Sequence, residues 1–211
     1  LQYFYNKKFT EKNAKKKYNK LSKVILAYPS MCRMARTLMD SNDRLERRKG
    51  CVFFIILKTF CRVGSPSNNK MVFGASTLDF KKHIKIKPGG IVNVSFIGKS
   101  KQPNNYKFKS LCFCKALKRG LDTRPHVDIR ALFGNFTPKD VRMFGANVTF
   151  MRNWKHVSNL EPDKYSVRVI TSLTSKAICN TVAVCKNNYI HPKIYKLASK
   201  PITYSCSDSS K

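Results

Sequence analysis

Between Phe80 and Leu121 the chain carries ten lysines, one arginine and no carboxylate. A folded surface on which one sign of charge goes unanswered over so long a stretch repels itself unless counter-charges lie close by. The rest of the sequence does not redress the balance. Over 211 residues, 42 Lys and Arg face 11 Asp and Glu, a formal net charge of +31, and the glutamates are Glu11, Glu46 and Glu161 alone. Freely soluble enzymes commonly mix both signs across their surfaces, so the pattern points to a polyanionic partner, with nucleic acid first among them. Hydrophobic residues make up 42% of the chain, which excludes a merely basic disordered tail and supplies a core of moderate size. The longest clean apolar run, Cys51 to Leu57, is too short to span a bilayer. It reads as a buried strand, and no membrane partner is expected.

Period-two patterns organise the middle of the chain. His83-Ile-Lys-Ile-Lys87 alternates and turns at Pro88-Gly89-Gly90. Ile91 to Phe96 then places Val92, Val94 and Phe96 on one face and Asn93 and Ser95 on the other. Tyr106 to Cys114 reads as a further strand, with Tyr106, Phe108, Cys112 and Cys114 on one face and Lys107 and Lys109 opposite. Val127 to Ala131 alternates again. Strands at this spacing, separated by turn clusters, predict a mainly β fold: a small antiparallel barrel over 80–157. Common parity assigns Val92, Val94, Phe96, Phe108, Cys112, Ile129 and Phe144 to its core. Residues 1–79 form a basic extension with one helix over 11–25, stopped by Pro29, and another from Met31 to Arg48, stopped by Gly50. Cys51 to Val63 reads as one or two buried strands. Residues 158–211 form a β-rich C-terminal extension. Trp154 to Asp163 reads as a loop, Tyr165 to Leu173 and Ala177 to Cys185 as a hairpin, and Ile190 to Leu197 as a last apolar-basic stretch.

The residue types that carry catalysis are thin in this pattern. Gly89-Gly90 follows a proline and precedes a strand, whereas a phosphate loop opens a helix. The four histidines are scattered, and no cofactor or small-molecule substrate is expected. The eight cysteines sit mostly in apolar surroundings and read as reduced, structural thiols. Neither Cys112 with Cys114 nor Cys179 with Cys185 has the tight-turn spacing of a structural zinc pair, so no metal is expected. The chain therefore reads as a binding protein and not an enzyme. Its candidate phosphate contacts are Lys12, Lys15, Lys16, Lys17 and Lys20 in the arm; Lys99 and Lys101 in the first barrel loop; Lys107 and Lys109 on the outer strand face; and Lys115, Lys118, Arg119, Arg124 and Arg130 beyond it. Two other classes stay open. A nucleic-acid enzyme, or an RNA-processing or RNA-modification factor associated with ribosome assembly, would need clustered carboxylates or a metal site, and Asp122, Asp128 and Asp140 are the one close acidic set. A membrane-surface protein would need a bulkier apolar face than residues 11–25 offer.

The stretch from Phe80 to about Val157 resembles the bacterial-type large-subunit ribosomal protein nineteen family. Ile86-Lys-Pro-Gly-Gly-Ile-Val-Asn-Val94 stands where that family has a Pro-Gly-Asp turn and an alternating Val strand, with Gly90 in place of Asp. Phe108-Lys-Ser-Leu111 is similar to its Phe-x-Gly pattern, Ile129-Arg130 to its Val-Arg, and Arg142-Met-Phe-Gly-Ala146 to its Arg-Ile-Phe-Pro-Leu. Lys193-Ile-Tyr-Lys-Leu197 is similar to its Lys-Leu-Tyr-Tyr-Leu, displaced by an insertion around 158–189. The resemblance implies an SH3-like barrel bound to ribosomal RNA and neighbouring ribosomal proteins in the large subunit of an organellar ribosome, serving translation in the mitochondrial matrix. A chain opening on Leu1 is the form a processed organellar protein would take. The large-subunit protein twenty-four family, which also opens on a basic, Gly-containing turn before a Val strand, is the nearest alternative of the same class.

Overall fold

Asp43 decides the first large departure from a β reading. In the computed structural model its carboxylate accepts the Glu46 N–H at 2.8 Å, the N-cap of a helix that runs from Arg44 to Thr59. The apolar run Cys51–Leu57 is therefore helical, and every residue in it is buried. A segment buried on all sides shows no amphipathic period, so periodicity cannot tell helix from strand there. The structure describes residues 2–67, 70–72, 74–98, 102–124, 126–160 and 166–199; side chains are described over 21–64, 74–98, 102–124, 126–158 and 166–199. The chain divides into two compact units, Leu1–Gly145 and Ala146–Lys211.

In the first unit, α1 (Gln2–Asp40) lies against α2 (Arg44–Thr59). The helix passes through Pro29 instead of stopping at it. Proline removes the hydrogen bond to the carbonyl four residues back, that of Ile25. Both Pro29 and Ile25 are exposed, so the defect falls on the solvent side. The buried stripe Val24, Met31, Ala35 and Met39 continues unbroken along the other side. Gly50 is likewise no stop. It is the crossing point of the two helices, where a Cβ would lie 2.6 Å from the Met39 nitrogen and 2.7 Å from the Leu38 Cβ. Arg47, 4% exposed, locks the helix turn: its guanidinium donates to the carbonyls of Ser41, Asn42, Arg119 and Gly120 at 2.6 to 3.2 Å.

After α2 come a two-stranded ribbon, β1 (Ser65–Ser67) with β2 (Lys70–Val72), and the one-turn helix α3 (Phe80–His83). An antiparallel sheet follows, made of β3 (Ile84–Lys87), β4 (Ile91–Ile97) and β5 (Pro103–Lys109) in that order. The β3–β4 hairpin turns at Pro88–Gly90 as its sequence predicts, with Gly89 and Gly90 at φ 74° and 76°, the left-handed region that glycine enters freely. Val92, Val94 and Phe96 face inward onto α2 and its neighbours; Phe54 of α2 meets Phe108 and Phe113 at ring distances of 5.9 and 6.0 Å. Burying each such side chain contributes roughly 1.5–3 kcal/mol.

The expected SH3-like barrel and mainly β fold are not what forms. Among the described residues the sheet stops at three strands, and the fold is mainly helical. The anticipated strand through Cys114 ends at Lys109. There Ser110 accepts the Phe113 N–H at 3.2 Å and starts α4 (Leu111–Lys118), which leaves Cys112 on the exposed side. Val127–Ala131 leads instead into a 3-10 turn at Arg130–Phe133. Val92, Val94, Phe96 and Ile129 do share one core, with Phe108 and Phe144 packed against it, but that core is built around a helix.

Helix α5 (Pro138–Leu160) passes through the point where the chain divides, and it replaces the loop expected from Trp154. The second unit adds α6 (Val167–Ala177), α7 (Val182–Asn188) and α8 (Pro192–Ala198), where a hairpin was expected. Its valines and threonines favour strands by intrinsic preference. The caps override them: Ser166 accepts from Arg168 N–H, Thr181 from Val184 N–H and His191 Nδ1 from Lys193 N–H. The Thr171 and Thr174 hydroxyls donate back to Val167 and Ile170 carbonyls, as threonine does within helices. Ala146, Phe150, Ile170, Ile178, Cys185, Ile190 and Ala198 form this unit's core.

Candidate nucleophile and nucleic-acid interface

In the second unit, His191 caps α8 and Pro192 opens it, the position where a missing N–H costs nothing. Asn147 fixes this entry by donating Nδ2–H to the Tyr189 carbonyl and accepting the His191 N–H, both at 2.8 Å. One turn on stands Tyr195. Its ring lies 6.2 Å from that of Phe150, and Lys186 Nζ from α7 sits 4.8 Å from its centre. Lys193 and Lys196 are exposed on the same helix. Of the other tyrosines with described side chains, Tyr28 donates its hydroxyl to Leu57 O at 2.6 Å and Tyr106 to Asn104 Oδ1 at 3.1 Å. Tyr189 is half-buried beside the second core. The Tyr195 hydroxyl has no hydrogen-bond partner among the described residues. It is a hydroxyl on a ring packed against Phe150, with the Lys186 ammonium over that ring.

In the first unit the cations separate into structural and available ones. Arg142, 4% exposed, donates Nη1–H to Phe60 O at 2.6 Å. Phe60 ends α2 in the left-handed conformation, and its ring lies where a Cβ on Gly145 would be. This contact sets a buried guanidinium against the chain two residues before Arg62. Arg48 is buried as well, donating to Asp122 O and Leu78 O and lying over the Phe80 ring. Burial pushes its pKa down, while Asp122 and Asp79 pull it up.

The sequence-derived contacts distribute unevenly over this frame. Lys107 and Lys109 are exposed on β5; Lys115 and Lys118 are exposed on α4, and Arg130 is exposed in the 3-10 turn. Arg119 and Arg124 are engaged in the fold. Arg119 donates to Asp40 O, Ser41 O and Asn42 Oδ1, and Arg124 pairs with Asp122 at 2.7 Å, holding that carboxyl below the usual carboxylate range. Lys12, Lys15, Lys16, Lys17 and Lys20 belong to α1, with side chains outside the described residues, as are Lys99 and Lys101. Sequence reasoning passed over Lys186, and it noticed Tyr195 only as part of a short motif.

Comparison with known proteins redirects the functional reading. Residues 6–119, just over half of the chain, match the family described as eukaryotic DNA topoisomerase I, catalytic core. A DNA topoisomerase 1B of Acanthamoeba polyphaga mimivirus is 25% identical over 227 aligned positions, which cover 90% of this chain and 66% of that protein. The chain thus spans just under two thirds of that relative's length. These matches overturn the resemblance to ribosomal protein nineteen, and with it the non-catalytic ribosomal role, the ribosomal RNA and the ribosomal protein partners. They do not support an RNA-processing factor either. The excess of basic charge does not by itself distinguish an RNA partner from a DNA partner. The match across α1, α2, the sheet and α4 settles the assignment: the chain belongs to the eukaryotic DNA topoisomerase I catalytic-core family.

Proposed function

We propose that the chain acts on duplex DNA as a topoisomerase, opening and resealing one phosphodiester through a covalent link to Tyr195. The observation that carries the reading is the pairing of family membership with a tyrosine whose hydroxyl is uncommitted and whose ring is flanked by Lys186. Changing the linkage of DNA strands requires a phosphodiester to open and close again. If the bond energy is to survive the open state, the phosphoryl group must pass to a protein nucleophile. A phenol suits this exchange. Its pKa near 10 makes it a better leaving group than a sugar hydroxyl, so the return step is facile.

In the forward step the Tyr195 oxygen attacks phosphorus and gives up its proton. The bond from phosphorus to one deoxyribose oxygen breaks, and that oxygen takes a proton to become a hydroxyl. In the return step the hydroxyl attacks the phosphotyrosine and the phenol leaves. Catalysis of phosphoryl transfer is mainly positioning and charge stabilisation, and Lys186 supplies a cation at the attacking side chain. Relaxation of supercoiled plasmid by the purified chain tests the proposal. Wild-type protein relaxes it, and Tyr195→Phe, which keeps the ring and its packing, does not. Undiminished relaxation by Tyr195→Phe would refute the assignment.

A further inference from the structure

The strand register creates a cationic array that the reaction at Tyr195 does not use. Lys85 of β3 pairs with Asn93 of β4, which pairs with Lys107 of β5; Lys87 likewise pairs with Ile91, and Ile91 with Lys109. Directly paired residues project from the same face of a sheet, so four lysines stand on one side in two rows. All four are exposed. The opposite face carries Val92 and Val94 into the core, so the array is turned away from it. Each row has a neutral residue on the central strand, which avoids like charges directly opposite one another. Lysines in a row are about 10 Å apart, two strand spacings, and neighbours along a strand about 7 Å apart. These separations are within roughly one Debye length at 0.1 M salt, so the charges repel in the free protein. No carboxylate lies anywhere in residues 80–121 to answer them.

We infer that this face is a docking track for the phosphate backbone of duplex DNA, with Lys85, Lys87, Lys107 and Lys109 each neutralising one phosphate. The choice of DNA over other polyanions rests on the proposed function above; the location rests on register, exposure and charge complementarity. Lysine suits such a track because it meets phosphate as a mobile point charge and reads no sequence.

Measuring the affinity of the full chain for duplex DNA between 50 and 200 mM salt tests this, wild type against the fourfold variant K85Q/K87Q/K107Q/K109Q. Each lost phosphate contact lowers the slope of log affinity against log salt by about 0.9. The variant should therefore lose on the order of 100-fold less affinity than wild type over that range. A second variant, R152Q/K155Q/R168Q/K176Q, removes equal charge from exposed positions of the second unit and should keep a steeper slope. Thermal melting checks that both variants fold. An unchanged slope in the sheet variant, or an equal fall in both, overturns the track. Plasmid relaxation is scored separately. A wild-type chain that binds with a slope the sheet variant lowers but relaxes nothing sinks the topoisomerase reading and leaves the track standing. A chain that relaxes DNA with a slope the sheet variant does not alter does the reverse.

Discussion

Replacing Gly50 by alanine sets two effects of opposite sign against each other. Gly50 lies inside α2, where alanine is intrinsically better by about 1 kcal/mol. An isolated helix would gain that much. In the folded protein the new Cβ would meet Met39 N at 2.6 Å, Leu38 Cβ at 2.7 Å and Leu38 C at 2.8 Å. Two of these are backbone atoms of the facing helix, so no side-chain rotation relieves them. α1 must retreat, loosening Met39, Ala35 and Met31 from the core they share with α2. Overpacking of this kind costs about 1–3 kcal/mol, and a rigid backbone neighbour places it in the upper half of that range. The net expectation is destabilisation by about 1–2 kcal/mol, a fall of roughly 0.5–1 M in the urea midpoint followed by far-UV circular dichroism, with the slope unchanged. A midpoint equal to or above that of wild type would show that the helices do not cross at Gly50.

Arg47→Met should cost about 2–4 kcal/mol, because it strips charged donors from the Ser41, Asn42, Arg119 and Gly120 carbonyls; Arg47→Lys should recover less than half, since one ammonium cannot span both loops. Chemical denaturation of the two variants reads this, and full rescue by lysine would contradict it. Burial holds the Cys51 thiol protonated, well above its usual pKa, while Cys112 is exposed. Iodoacetamide should therefore label Cys112 in the native protein and Cys51 only on unfolding, as peptide mapping would show.

The hairpin of β3 and β4 was legible because it is half-buried. One face meets the core and the other does not, so the sequence alternates, and Pro88-Gly89-Gly90 supplies the turn. The same reasoning failed at Cys51–Leu57, where burial on every side erases the period. There the informative residue was Asp43, three before Glu46. In the second unit, strand-preferring valines and threonines outweighed the cap residues Ser166, Thr181 and His191, although the caps decide the structure. Cys112 was misassigned because Ser110 ends a strand and begins a helix within one residue. The excess of cations was legible in the sequence; the concentration of four lysines on one sheet face required the register that pairs Lys85 with Asn93 and Asn93 with Lys107. Tyr195 was not singled out in the sequence, because what separates it from Tyr28 and Tyr106 is a hydroxyl without a partner among the described residues, which is a property of the fold.

The most direct test of the central claim is to denature the protein during turnover on duplex DNA and locate any covalent adduct by proteolysis and mass spectrometry. The account predicts a nucleotide phosphate on the peptide containing Tyr195, and no adduct in Tyr195→Phe. An adduct on another residue, or relaxation of DNA with no trapped adduct, would contradict it.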